Sequence, residues 1–162
     1  MLVPVVRFVV AALLVASTLQ PAVADAPPAV TFTGNPQSVL STGVAIPSGA
    51  AMFWVSGTPP SAPFGDMKSQ GESALRNVAN VLQTQGLSMR DVVYLRVYVV
   101  ADKATGKVDY AGWNAAYGEF FANATNPTKT ARSTVAVAGL VGPEWLIEIE
   151  AFAVYPPSGG RR

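Results

Sequence analysis

Apolar residues recur with two different periods along this chain, and the switches between them outline a domain. Ala51-Met-Phe-Trp-Val-Ser56 is an apolar run that predicts a buried strand ending at Gly57. The proline-rich stretch Thr58 to Gly65 predicts a loop. From Met67 to Gln85 the period becomes helical, with Leu75, Val78, Ala79 and Leu82 forming one stripe. Asp66 is placed to cap this helix and Gly86 to stop it. Val92 to Val100 alternates as a strand: Val93, Leu95, Val97 and Val99 on one face, Tyr94, Arg96 and Tyr98 on the other. After a polar loop at Asp102 to Gly106, a second helix is expected from Val108 to Phe121. Tyr110, Trp113, Tyr117, Phe120 and Phe121 would share its buried face. Thr130 to Leu140 and Leu146 to Val154 then read as two neighbouring strands.

The order is strands, helix, strand, helix, two strands. It predicts an α+β domain, one mixed sheet with two helices packed on one face. Two helices cover one face only, yet several strands are apolar on both. The second face therefore needs a cover, and another copy of the chain supplies it most simply. The boundaries expected are a signal peptide over 1–24, a leader with short strands over 25–48, the domain over 49–156 and a tail over 157–162. The signal peptide is read from Arg7, the uncharged apolar run Phe8 to Leu19 and the small-x-small site Ala22-Val23-Ala24. The apolar run is short for a membrane span, so the cleaved chain is expected in the periplasm or secreted, without stable membrane insertion.

Charge is scarce, at 13% of residues, and the formal net charge is +1. Arg7 is the only charge in the signal segment, so its removal leaves acidic and basic residues in equal number. A neutral chain without a basic cluster interleaved with aromatics is not expected to bind nucleic acid. The chain has neither cysteine nor histidine. Thiolate chemistry, a Ser-His-Asp triad and a histidine-ligated metal are thereby excluded. Proton transfer near neutral pH is left to carboxylates, lysine, tyrosine or water.

The few charges inside apolar strands are the first candidates for chemistry. Arg132 opens a strand of Ala, Ser, Thr and Val, where a guanidinium needs an anionic partner. That partner is either a ligand carboxylate or a structural Glu148 or Glu150. These two glutamates lie two apart on one strand face, where a carboxylate can polarise a water or pass a proton. Their alternative is pairing with Arg132, Arg96 or backbone groups at a subunit seam. Ser56-Gly57 ends a strand and offers donors at close backbone approach, or is simply a turn. Asn114 lies beside the aromatic stripe of the second helix, as a ligand contact or a helix-surface amide.

These residues carry a resemblance to the reactive-intermediate (imine/enamine) deaminase family, Rid or YjgF. Four stretches resemble it: Val55-Ser-Gly57; Gln70 to Val100 with Ala74-Leu-Arg-Asn-Val78 and Asp91-Val-Val93; Trp113-Asn-Ala-Ala-Tyr-Gly-Glu-Phe-Phe121; and Ala131-Arg-Ser-Thr-Val135 with Ile147-Glu-Ile-Glu-Ala151. The resemblance implies a chorismate-mutase-like fold and a homotrimer whose sheets face the centre, with sites in clefts between subunits. It implies cofactor-free, metal-free hydrolysis of small 2-imino acids, formed from enamines such as 2-aminoacrylate, to 2-keto acids and ammonia. Arg132 would then bind the substrate carboxylate and Glu148 activate water, while Ser56, Gly57, Asn114 and Thr134 would line the pocket. The chain departs from the family in having no tyrosine near Val39 to Gly43, and in Thr134 and Thr130 standing where cysteine and proline are common. The alternative is a non-catalytic trimer that binds small carboxylates. RNA cleavage, attached to some relatives, is disfavoured by the neutral charge.

Overall fold

A computed structural model describes residues 29–157. The expected signal peptide, its cleavage site and the end of the tail lie outside them. Two short strands, β1 (Thr31–Thr33) and β2 (Gly43–Ala45), pair with each other in the leader. Both fall within 25–48, where short strands are expected. The domain follows as β3 (Met52–Thr58), α1 (Met67–Gln83), β4 (Val92–Val99), α2 (Tyr110–Phe120), β5 (Ala131–Ala136) and β6 (Ile147–Val154).

The four domain strands form one sheet in the order β3-β6-β4-β5. β4 and β5 run parallel, and β6 lies antiparallel to both β3 and β4. The architecture is the expected α+β layer of two helices on a mixed sheet. One detail is corrected: the last two strands follow each other in the chain but are not partners, because β4 lies between them. β5 is therefore an edge strand, and Arg132 sits at the rim rather than in the sheet's middle.

Local chemistry sets the helix ends. The Asp66 side chain accepts from the Ser69 N–H and caps α1. At the other end Gly86 takes a φ of +69°, and Leu87 N–H reaches back to the Leu82 carbonyl. Leu75, Val78 and Leu82 of the expected stripe are fully buried, but Ala79 is only half-buried, and Ala74, one turn before Val78, takes its place. The buried residues meet Leu95, Val97 and Val99 of β4 and Ile147, Ile149, Ala151 and Ala153 of β6, also buried. Each Leu, Val or Ile so placed contributes about 1.5–3 kcal/mol. A short 3-10 turn at Met89–Asp91, fixed by a capping box between Ser88 and Asp91, leads into β4.

α2 begins two residues later than expected, capped by Asp109. Trp113, Ala116, Tyr117 and Phe121 are buried, but Tyr110 is not: it lies in the first turn, outside the layer contact. α2 crosses α1 closely at Gly71, where a Cβ would lie 2.9 Å from the Ala116 Cβ and 3.2 Å from the Trp113 ring.

The opposite face of the sheet is uncovered. Val55 is buried against the helices, whereas Met52, Trp54 and Val135 are exposed, Trp54 at 68%. The expectation of a buried strand at 51–56 thus holds for one face only. Trp54 and Tyr94 both meet the ring of Phe152 edge-on, at 4.9 and 5.3 Å. This aromatic patch lies on the face that the two helices leave uncovered.

Candidate functional site

Arg132 pairs in register with Leu95, a residue buried under the helices, so its side chain projects on the helix side. There it meets α2. Nη2 donates to Asn114 Oδ1 at 2.6 Å, and the guanidinium lies 4.7 Å from the Tyr117 ring and 5.1 Å from Trp113. Nη1 is buried with no hydrogen-bond partner. None of the ion pairs among the described residues includes Arg132. Burial draws its pKa downward, and the Tyr117 hydroxyl offsets this in part. A guanidinium lying against two rings, with one amide oxygen and no carboxylate among the described residues, can accept an anion.

The supports of this arginine are themselves fixed. The Tyr117 hydroxyl accepts from Thr130 N–H at 3.2 Å, contacts Thr130 Oγ1 at 3.1 Å and donates to the Val39 carbonyl at 3.3 Å. Burial raises the Tyr117 pKa, against the hydrogen bonds from Thr130. The leader is pinned at the same place, where Ser41 N–H meets the Thr130 carbonyl. Trp113 Nε1–H donates to Thr134 Oγ1 at 3.3 Å, which brings Thr134 to the same cluster. Trp113 and Tyr117 read in the sequence as core, because an aromatic stripe at helical spacing is the ordinary signature of a buried face. Their spacing around Asn114 was the available signal.

A second cluster lies on the uncovered face. Glu148 pairs in register with Tyr98 and Glu150 with Arg96. Glu150 is committed: it takes Arg96 Nη1 at 3.2 Å and the Tyr98 hydroxyl at 3.2 Å. Glu148 takes part in no ion pair among the described residues. Its carboxylate lies against Gly57, where any Cβ would overlap Oε1. Val55 pairs with Ala151 and Thr58 with Ile149, so Ser56-Gly57 forms a bulge in β3. Gly57 thus clears the space that the Glu148 carboxylate occupies.

Of the six sequence-read residues, Arg132, Asn114 and Thr134 come together on the helix side. Ser56, Gly57 and Glu148 come together on the uncovered side. Within one protomer the two groups occupy opposite faces of the sheet. A cleft of about 480 Å³, between the leader and the end of β6, is lined by Phe32, Arg90, Tyr155 and neighbours and includes none of the six.

Two βαβ passages share the sheet, with β6 antiparallel between β3 and β4, and Arg132 of β5 and Glu148 of β6 enter no ion pair among the described residues. Residues 40–155 match the family described as Endoribonuclease L-PSP, and the chain belongs to that family, which is the Rid/YjgF family. A RutC family protein of Pyrococcus horikoshii is 34% identical over 131 residues, covering 76% of this chain and 95% of that protein. The structure resembles the Rid family protein YyfB of Yersinia pestis, with a TM-score of 0.63 at 27% identity over 78% of this chain and 98% of that one. It also resembles Escherichia coli TdcF with bound serine, with a TM-score of 0.55 at 30% identity over 68% and 85%. Membership covers imine deamination and small-molecule binding.

Proposed function

We propose that the protein hydrolyses small 2-imino acids such as 2-iminobutyrate, and those formed from enamines such as 2-aminoacrylate, to 2-keto acids and ammonia. The observation that carries this reading is the half-buried Arg132 guanidinium, lying against Trp113 and Tyr117 without a carboxylate partner among the described residues. Its fork suits a substrate carboxylate. An iminium carbon is already electrophilic, so the protein's task is orientation and a placed water. Glu148 takes a proton as water adds to C2, giving a carbinolamine. It returns that proton to nitrogen, the C–N bond breaks, ammonia departs and the hydroxyl proton is released with formation of the keto group. The uncommitted state of Glu148 beside Gly57 suits this shuttle.

The opposite placement of Arg132 and Glu148 is reconciled by assembly. In a homotrimer with the uncovered faces inward, Arg132 of one copy meets Glu148 of the next, in a cleft with Ser56 and Gly57. The signal peptide expected over residues 1–24 supports a reaction outside the cytosol. Subunit mixing tests the arrangement. Arg132→Ala and Glu148→Gln are each expected to be inactive on iminobutyrate generated in situ. Co-refolded in equal amounts, random pairing restores about one quarter of wild-type sites. A mixture as dead as its parents, from an active wild type, rejects the shared site; an inactive wild type rejects the deaminase.

A second reading is a trimer that binds small carboxylates without turnover. Bound serine in TdcF, and the lack of a tyrosine between Val39 and Gly43, favour it. Calorimetric binding of serine or 2-oxobutyrate, lost in Arg132→Ala and unaccompanied by ammonia release from any imine, would select it.

A further inference from the structure

Trp113 touches two residues of the site in two different ways. Its ring face lies 5.1 Å from the Arg132 guanidinium, and its indole N–H donates to Thr134 Oγ1 at 3.3 Å. The ring has no freedom to leave either contact. It is fully buried, edge-on to Tyr117 at 6.2 Å, and backed by α1 at Gly71, where a Cβ would come within 3.2 Å of Cε3.

An indole N–H can only donate, whereas a threonine hydroxyl has one donor and two acceptor lone pairs. Accepting from Trp113 occupies one lone pair of Thr134 and turns its O–H away from the indole. Thr134 is half-buried and lies two residues from Arg132 on β5, so both project from the same strand face. We infer that Trp113 is a positioning residue that sets both the plane of Arg132 and the direction of the Thr134 hydroxyl. The pair then addresses two adjacent points on a ligand: Arg132 the carboxylate, Thr134 the heteroatom on C2. The ligand class selected is a carboxylate with oxygen or nitrogen at C2, in preference to a plain aliphatic acid of the same length. This rests on the proposed role of Arg132 as the carboxylate clamp.

The test compares 2-oxobutyrate with butyrate by calorimetry on the assembled full-length protein, so it does not depend on turnover. Wild type is expected to prefer 2-oxobutyrate by about 5–10-fold, the worth of one net hydrogen bond. Trp113→Phe keeps a ring under Arg132 but removes the donor. It is expected to bind butyrate as wild type does and to lose the preference. Thr134→Val should do the same, Thr134→Ser should restore it, and Trp113→Phe with Thr134→Val should be no worse than Thr134→Val alone. Trp113→Leu, which removes the ring as well, should weaken both ligands. The inference is overturned if Trp113→Phe keeps the preference, if it weakens both ligands equally, or if wild type shows no preference while binding both through Arg132. Wild-type protein that binds neither acid overturns the clamp itself.

Discussion

Arg96 and Arg132 sit on adjacent strands and both lie over aromatic rings, yet they have opposite circumstances. Arg96 projects on the uncovered face over Phe152, half-exposed, and holds Glu150 at 3.2 Å. Arg132 projects under α2, with burial pulling its pKa down and no carboxylate beside it. The same division separates the two glutamates: Glu150 has two partners, while Glu148 has only the space cleared by Gly57. Under the proposed function, the charge already paired in the protomer is structural and the one left unpaired is the one a ligand meets. Exposure alone would have ranked them the other way.

The sharpest way to break this comparison is Arg132→Ala, expected to lower carboxylate affinity by about 100-fold, the usual consequence of deleting one partner of a buried charge pair. Calorimetry with 2-oxobutyrate reads it. Gly57→Ala comes next: its methyl displaces the Glu148 carboxylate, so kcat for imine hydrolysis should fall by about 10-fold or more while carboxylate affinity changes little. A parallel loss of affinity would mean that Glu148 binds rather than activates.

Asp66 is a committed charge with no place in the site, and it serves as a stability control. Asp66→Ala removes the α1 cap at a cost of about 1 kcal/mol at pH 7, read by denaturant unfolding. Hydrogen bonds from Ser69 hold the Asp66 pKa below its ordinary value of 3.8. Its contribution is therefore present above that value and fades as pH falls through the lower folded pKa, so mutant and wild type should converge in acid. Ligand affinity should be unchanged. The smallest effect is expected from Arg96→Ala, with carboxylate affinity within about twofold of wild type; a large loss would place Arg96, not Arg132, at the ligand.

Much of this was legible in the sequence. The α1 stripe apart from Ala79, the caps at Asp66 and Gly86 and the alternation of β4 from Tyr94 onward follow from local periods, whereas a register shift near Val93 puts Val92 in the core instead. The order of the sheet was not legible, because alternation fixes which face a residue takes but not which strand lies beside it. Hence β5 and β6 read as partners although β4 separates them. The choice between Glu148 and Glu150 was hidden for the same reason. Two residues apart, they share a face, and only cross-strand register brings Arg96 to one of them. Tyr110 shows the limit of periodicity at a helix end: it continues the aromatic stripe of α2 but lies beyond the layer that would bury it.

The position of β6 has a consequence for how the chain comes together. The last strand of the domain lies inside the sheet, and among the described residues it is the only partner of β3. Trp54 waits for Phe152, nearly the whole domain later. A growing chain can zip β4 to β5, but it cannot anchor β3 until the final segment has emerged. Assembly of the four-stranded sheet is therefore expected to wait until β6 is available. Damage that removes residues beyond Ile147 yields no partly working domain, only an orphaned strand with an adhesive edge.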